Sequence, residues 1–593
     1  MFHAKHGTVS ASKSAVNQAT SNVAKLPHVI GATSPFASSN SGQVSKDGTI
    51  AYTSASWNVN PDSLSNSYLD KLNKAVEPAR KAGLTVDYGA GAGNIGQQTN
   101  DLTSEGIGLA CALALLLFMF GSLIAAAIPL LSALCSVGAG LSLLGLLASA
   151  ITFPTTAPTI ATLLGLGVAI DYGLFLTARH REQLDQGMDV TSSVKRAEST
   201  SGAAIVVAGS TVVISILGLY IAGVTFVGSL GLAAAVVVAL TFSIVLGQPD
   251  NGTNPASDSN KRAFVLIKQG FGTGVNGPLT VVVKLPKESS QTTNSKLSTM
   301  QSDLAHTHGV KTVSPPVVNK AGTVAVLNVI PTTRPQATAT TNLVKTLRNT
   351  VLPNEHLTTY VTGTTAGTVD FTDRITARLV WLIVAVIAIS FLLLTMAFRS
   401  IVIATKAAIL NLLSIGAAVG VIVAIFQYGW GASLIGLHTT LPIPAYVPML
   451  VFCIVFGLSM DYEVFLLSRV HEAWLVTGDE RRSVAIGIGA TARVITTAAA
   501  IMVTVFASFV LNSDPTVKML VIGMAFAVLI DASVVRMVLV PSIMTLLGRY
   551  AWWMPHWMEP IVPQLHLEDS QSPPVGPQPA TSPAQRTGTA PRR

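Results

Sequence analysis

Leu164-Gly-Leu-Gly-Val-Ala-Ile-Asp-Tyr172 recurs further along the chain as Ile454-Val-Phe-Gly-Leu-Ser-Met-Asp-Tyr462. The same offset pairs Asp171 with Asp461, Tyr172 with Tyr462 and Arg179 with Arg469, which marks an internal duplication. Each copy lies in an apolar run long enough to cross a hydrocarbon core of roughly 30 Å. Each acid sits several residues before the polar end of its run, where an ionised carboxylate facing lipid costs at least several kcal/mol. The two acids therefore face a protein interior or water.

Outward from these stretches, the chain reads as membrane-embedded throughout. Its 593 residues are 50% hydrophobic and only 11% charged, with a mean hydropathy of +0.54, which leaves too little charge for a soluble surface. The formal net charge of +8 does not indicate nucleic acid, because Arg and Lys cluster in short segments beside apolar runs, as in cytoplasmic membrane loops. Cys111, Cys135 and Cys453 all lie inside apolar runs, so neither a disulfide framework nor a cysteine metal site is indicated.

Ten apolar stretches fall into two sets of five. The first runs near 106–124, 126–150, 157–178, 203–222 and 224–247. The second runs near 377–397, 401–427, 446–468, 485–511 and 517–546. Residues 1–105 are Ser/Thr/Asn-rich, with helical periodicity near 11–25 and 63–82 and strand-like runs near 28–31, 49–57 and 84–88. Residues 248–375 give a strand (Leu279–Leu285), a helix (about 291–306), strands (about 309–313 and 322–330), a helix (about 339–351) and a strand (about 358–362). That order, β-α-β-β-α-β, is a split, ferredoxin-like α+β arrangement. The expected organisation is a polar domain at 1–105, a bundle at 106–247, a second polar domain at 248–375, a bundle at 376–550, and an interfacial segment with a disordered tail at 551–593. Parallel duplication of this kind puts a transport site at the repeat interface, near the membrane midplane.

Asp171, Tyr172, Asp461 and Tyr462 are thus the candidate functional residues. Burial and mutual proximity suit two carboxyls to load and release protons, and tyrosine hydroxyls both donate and accept. The plainer alternative has each carboxylate only hydrogen-bonding a neighbouring helix. Asp531 and Arg536 form a second intramembrane charge set whose expected role is an ion pair, mutual or between helices. Arg493 is expected to snorkel to the interface, and Trp552, Trp553 and Trp557 to form an interfacial aromatic belt. Gly165, Gly167 and Gly457 suit close helix packing. The chain contains no phosphate-binding Gly-x-x-x-x-Gly-Lys-Ser/Thr run, no metal-ligand spacing among its histidines and no nucleophile set, so neither an enzyme nor a cofactor is indicated.

The stretches Gly165 to Arg179 and Phe456 to Arg469, together with Phe271-Gly-Thr-Gly-Val-Asn-Gly-Pro278 and Asp531-Ala-Ser-Val-Val-Arg536, resemble the MMPL family of resistance-nodulation-division transporters over nearly all of the chain up to about residue 566. The resemblance implies a multi-pass protein of the bacterial inner membrane, mainly in actinobacteria, with two extracytoplasmic porter domains. It implies proton-driven export of lipids, lipid-linked precursors or drugs, with Asp171, Tyr172, Asp461 and Tyr462 as the proton relay. The implied partners are a lipidic or amphipathic substrate and membrane lipids, with a homo-oligomer (a trimer) or an accessory membrane protein as further candidates.

The family has twelve membrane helices, against ten stretches here. By the chain's own repeat, the expectation is that a membrane helix, a linker and a strand are absent at the N-terminus. A second expectation concerns the middle, where the run Val224–Gly247 continues directly into Gln248-Pro-Asp-Asn-Gly252. Arg179, Arg181, Lys195 and Arg196 in one half, and Arg399, Lys406, Arg469, Arg481 and Arg482 in the other, assign their loops to the cytoplasm. One crossing between the halves is then missing, by an internal deletion or by insertion of one half in another orientation, the deletion being favoured. The functional alternative to a working exporter is a non-transporting remnant or scaffold subunit.

Overall fold

The computed structural model describes residues 1–593 except 38–41, 60, 62–63, 90, 96–101, 148–156, 198–247, 255–257, 287–289, 356, 438, 513, 559, 561 and 563–593. The apolar stretches expected near 203–222 and 224–247, and the tail, lie outside the described residues.

Among the described residues, eight helical spans are long and apolar enough to cross a membrane. They are α1 (Thr103–Phe120), α2 (Leu123–Leu146), α3 (Ala157–Asp185), α4 (Thr364–Phe398), α5 (Ile401–Gln427), α6 (Tyr446–Thr477), α7 (Glu480–Leu511) and α8 (Pro515–Trp552). Helices answer the requirement that every backbone polar group in hydrocarbon be satisfied within its own segment. Local signals set their ends. Ser400, Asp479 and Asp514 accept backbone N–H groups at the starts of α5, α7 and α8, Pro515 occupies the first turn of α8, and Gly478, at φ 63°, ends α6 in the left-handed region. Several helices outrun their apolar runs. α4 begins at Thr364, inside the stretch that the sequence assigned to the second polar domain.

Both sets of helices share one hydrophobic core, from Ala112 and Leu116 in α1 to Val540 and Met544 in α8. α6 lies at its centre, with 94% of its apolar window buried. α3 and α6 run parallel along their length. The Tyr172 hydroxyl reaches Asp461, Phe175 packs on Phe465 at 4.5 Å between ring centroids, and Glu182 meets Arg469 at 3.3 Å. Residue numbers rise together along both helices, so the two halves have one orientation and the two acids share one level of the bundle.

The polar segments form two α+β units. In the first, the strands β1 (Phe2–Ala4), β2 (Val29–Thr33), β3 (Ile50–Ala51), β4 (Ser54–Trp57) and β5 (Leu84–Val86) make a sheet of order β3-β1-β5 and a β2-β4 pair. The helices Lys13–Ala24 and Asn66–Ala75 bury Val16, Ala19, Tyr68 and Leu72. β1 corrects the expectation that the first unit lacks an opening strand; three residues are too few to display alternation. In the second unit, β6 (Leu279–Lys284), β7 (Val310–Val313), β8 (Val317–Val318), β9 (Val324–Pro331) and β10 (Thr358–Thr362) form an antiparallel sheet of order β10-β6-β9-β7, with β8 paired to β9. The register Val281↔Leu327 and Val281↔Val361 stacks inward-facing residues.

The helix Ser259–Phe271, also unforeseen, precedes the second sheet in the chain but docks on the first unit. Arg262 bonds Asp87 at 2.7 Å, the backbone N–H of Tyr88 donates to Ser259 at 2.7 Å, and Tyr52 meets Phe271 edge to face. The two units are joined by this helix on the side of the bundle from which α1 and α4 start.

Candidate functional site

α3 and α6 bring the four sequence-selected residues together. Asp171 and Tyr462 are 2% and 1% exposed, and Asp461 is 5% exposed. The contacts cross between the repeats. Tyr172 of the first copy donates its hydroxyl proton to Asp461 of the second, while the Tyr462 hydroxyl of the second donates to Sδ of Met502 at 3.0 Å and interacts electrostatically with Asp171 of the first. Oδ1 of Asp171 is buried without a hydrogen-bond partner among the described residues. Gly167 and Gly173 let α3 pack closely against α7 and α2: a Cβ at Gly167 would lie 3.2 Å from Phe506 of α7, and one at Gly173 2.9 Å from Cα of Pro129 of α2.

Beside the crossing lies a second buried set. Arg536, 0% exposed, donates from Nε to Asp531 and from Nη1 to Glu463, each at 2.9 Å, and from Nη2 to the backbone carbonyl and hydroxyl of Ser459. Glu463 also meets Lys406 at 2.6 Å, a close ion contact rather than an aligned hydrogen bond. Ser459 donates within range of Asp531 (2.8 Å) and Asn411 (2.6 Å). The Arg536 guanidinium lies 5.7 Å from the Tyr462 ring centroid, stacking charge on the aromatic face. Two cations and two anions thus neutralise one another next to Tyr462, and α5, α6 and α8 each contribute at least one of them.

Asp531 and Arg536 are five residues apart, which α winding would set roughly 140° apart around the axis. The segment Asp531–Leu539 is π-helical, and its i→i+5 bonding brings such residues onto one face. Glu463 and Lys406 escaped the sequence reading. Glu463 stands directly after Asp461-Tyr462, opposite Gly173 at the same offset, so the repeat does not mark it. Lys406 was assigned to a cytoplasmic loop; the structure corrects this, placing it inside α5 and 6% exposed. The available signal was a Lys more than a turn inside an apolar run, which needs a buried acid as partner.

The polar ends of α3 and α6 carry a further repeat-related set. Arg179 pairs with Glu182 at 2.9 Å and Arg469 with Glu472 at 3.1 Å, and Glu182 also bridges to Arg469. Arg493 donates to the Met119 carbonyl at 3.1 Å and Arg181 to that of Phe120, so both cap the C-terminal end of α1. Trp553 and Trp557 are exposed, whereas Trp552 stacks on Trp474 at 5.6 Å and packs on His471.

A parallel, duplicated helical bundle with charged residues buried at its repeat interface, beneath two α+β units, is the architecture of a multi-pass membrane transporter. The MMPL family model matches residues 2–247 and 255–562, and the chain belongs to the MMPL family. It is 29% identical to the membrane protein YdfJ of Bacillus subtilis, over 94% of this chain and 85% of that protein. It is 30% identical to the mycolic acid-containing lipids exporter MmpL11 of Mycolicibacterium smegmatis, over 81% of this chain; the chain thus spans 59% of that relative's length. Among solved structures, a heavy metal efflux pump resembles it with a TM-score of 0.49 at 11% identity, covering 84% of this chain and 73% of that one.

Proposed function

We propose that the protein uses the proton gradient to export lipids or other amphipathic compounds across the cell membrane, with the crossed Asp171–Tyr462 and Tyr172–Asp461 contacts as the proton relay. The observation that carries this reading is the crossing itself. A carboxylate in that interior is a charge whose neighbour is a neutral hydroxyl, and binding a proton neutralises it. Asp461 is held by the first repeat's Tyr172, and Asp171 feels the second repeat's Tyr462, so gaining or losing a proton changes an interaction between the two halves. A relative displacement of the halves is the motion that alternating access requires. The Asp531–Arg536 pair belongs, on this reading, to a charge network that holds α8 against α6.

The α+β units act as extracytoplasmic porter domains; the strand order β10-β6-β9-β7 of the second, with helices after β6 and β9 and the short β8 added beside β9, supports a ferredoxin-like form. A cavity of about 500 Å³ in the first unit, walled by Val23, Trp57, Leu72, Val76 and Ile267 with Asp87 at its edge, suits an apolar chain with a polar end. Descent shared with a mycolic acid-containing lipids exporter favours a lipid as that compound. The test is transport by the purified protein in proteoliposomes, with a fluorescent mycolate ester and a fluorescent phosphatidylethanolamine as probes. An imposed pH gradient drives release of at least one probe to an acceptor, and Asp171→Asn or Asp461→Asn stops it. Release that ignores the gradient, or that both variants retain, contradicts the proposal.

A further inference from the structure

We propose that Lys406 and Glu463 tune the relay: the balance of charge in the network Lys406–Glu463–Arg536–Asp531 sets the pH range over which the Asp171–Asp461 pair exchanges its proton. The inference rests on the relay reading above and adds to it two residues that act through electrostatics, without carrying the proton themselves.

The geometry gives a short path for the effect. Arg536 sits over the ring of Tyr462, and Tyr462 interacts electrostatically with Asp171. Glu463 is the residue next to Tyr462 on α6, and it holds Arg536 on one carboxyl oxygen and Lys406 on the other. All four network residues are buried, so water screens their fields weakly. Among the described residues, the charged or titratable groups around the two acids are Tyr172 on α3, Lys406 on α5, Tyr462 and Glu463 on α6, and Asp531 and Arg536 on α8; α7 presents Met502 to the Tyr462 hydroxyl. With two positive and two negative charges the network is neutral, and any single neutralisation leaves one uncompensated unit charge. At an effective dielectric constant of about 20, a unit charge on the order of 10 Å away moves a titration by about one pH unit.

The sign of the effect depends on which partner is removed. Glu463→Gln leaves an excess positive charge, which favours the ionised aspartate and moves its titration to lower pH. Lys406→Met leaves an excess negative charge and moves it to higher pH. The double variant is neutral again and returns to the wild-type range. A role confined to packing gives no such alternation, since both single variants would disturb the site in the same sense.

The experiment is an infrared pH titration of the full chain in phosphatidylethanolamine–phosphatidylglycerol nanodiscs, following the stretch of the protonated carboxyl group. Asp171→Asn and Asp461→Asn identify the band that belongs to the relay. The expected result is a midpoint about one pH unit lower in Glu463→Gln, about one unit higher in Lys406→Met, and near wild type in the double variant. Asp531→Asn, a second way of adding one positive charge, moves the midpoint in the same sense as Glu463→Gln, and Lys406→Arg leaves it in place; these keep the sign test available where one variant fails to fold. Single variants that leave the midpoint unmoved, or that move it in one common direction, overturn the tuning role while the relay stands. A titrating band that survives both aspartate variants overturns the relay reading, and the tuning role with it.

Discussion

Removing Arg536 tests whether the buried charges at the bundle centre form one interdependent unit. Arg536→Met deletes donors to Asp531, Glu463 and Ser459 and leaves Asp531 without its cation in a site where it is 2% exposed. Breaking a buried pair from one side costs about 3–5 kcal/mol, because the orphaned charge remains desolvated, whereas replacing both partners by apolar groups is often neutral. Arg536→Met is therefore expected to lose about 3–5 kcal/mol, and Arg536→Met combined with Asp531→Leu to recover about 2–3 kcal/mol of it. Lys406 and Glu463 remain in the double variant as a neutral pair. The assay is unfolding in mixed detergent–SDS micelles followed by tryptophan fluorescence, with a double-mutant cycle. A loss below about 1 kcal/mol in the single variant, or additive losses in the double, would refute the interdependence.

Two other outcomes follow from local geometry. A Cβ at Gly487 would lie 3.0 Å from the backbone N and Cα of Val470, while one at Gly489 meets nothing within 4 Å; Gly487→Ala should cost about 1–3 kcal/mol and Gly489→Ala should be neutral or slightly stabilising, compared in the same unfolding assay. In the first α+β unit, the Asp47 carboxyl is held below its ordinary value by the Ser45 hydroxyl and then by Thr49. The unfolded turn thus binds the extra proton, so the turn's stability is present above the ordinary aspartate range and is lost as pH falls through the folded value. Pepsin cleavage near Ser45–Thr49 should rise between about pH 5 and pH 2, and Asp47→Asn should show that susceptibility already at the upper end.

Much of the bundle is legible from apolar run length alone, because the hydrocarbon core dictates how many residues a helix needs. The Asp-Tyr repeat also supplied the correspondence between α3 and α6. The orientation of the halves was not legible, since the single run 224–247 supplies one crossing too few for matching halves, and sequence cannot show Tyr172 and Glu182 meeting α6 at two levels. The charge network was only half visible. Asp531 and Arg536 were noticed as intramembrane charges, but their contact depends on a π-helical segment that hydropathy does not encode. In the polar units the longer strands, such as Leu279–Lys284 with its buried alternation, announced themselves. Phe2–Ala4 and Val317–Val318 did not, being too short for any period to register. The helix Ser259–Phe271 has only a narrow buried stripe of Asn260, Ala263 and Leu266, and its docking on the first unit is a tertiary choice.

On the proposed mechanism, the Asp-Tyr contacts between the halves couple proton movement to transport. Its most direct test is proton entry into dye-loaded proteoliposomes under an imposed pH gradient, with and without a lipid acceptor outside. Acceptor-dependent proton flux is expected in the wild-type protein and lost in Asp171→Asn and in Asp461→Asn alike; either aspartate variant carrying protons at the wild-type rate rules the coupling out.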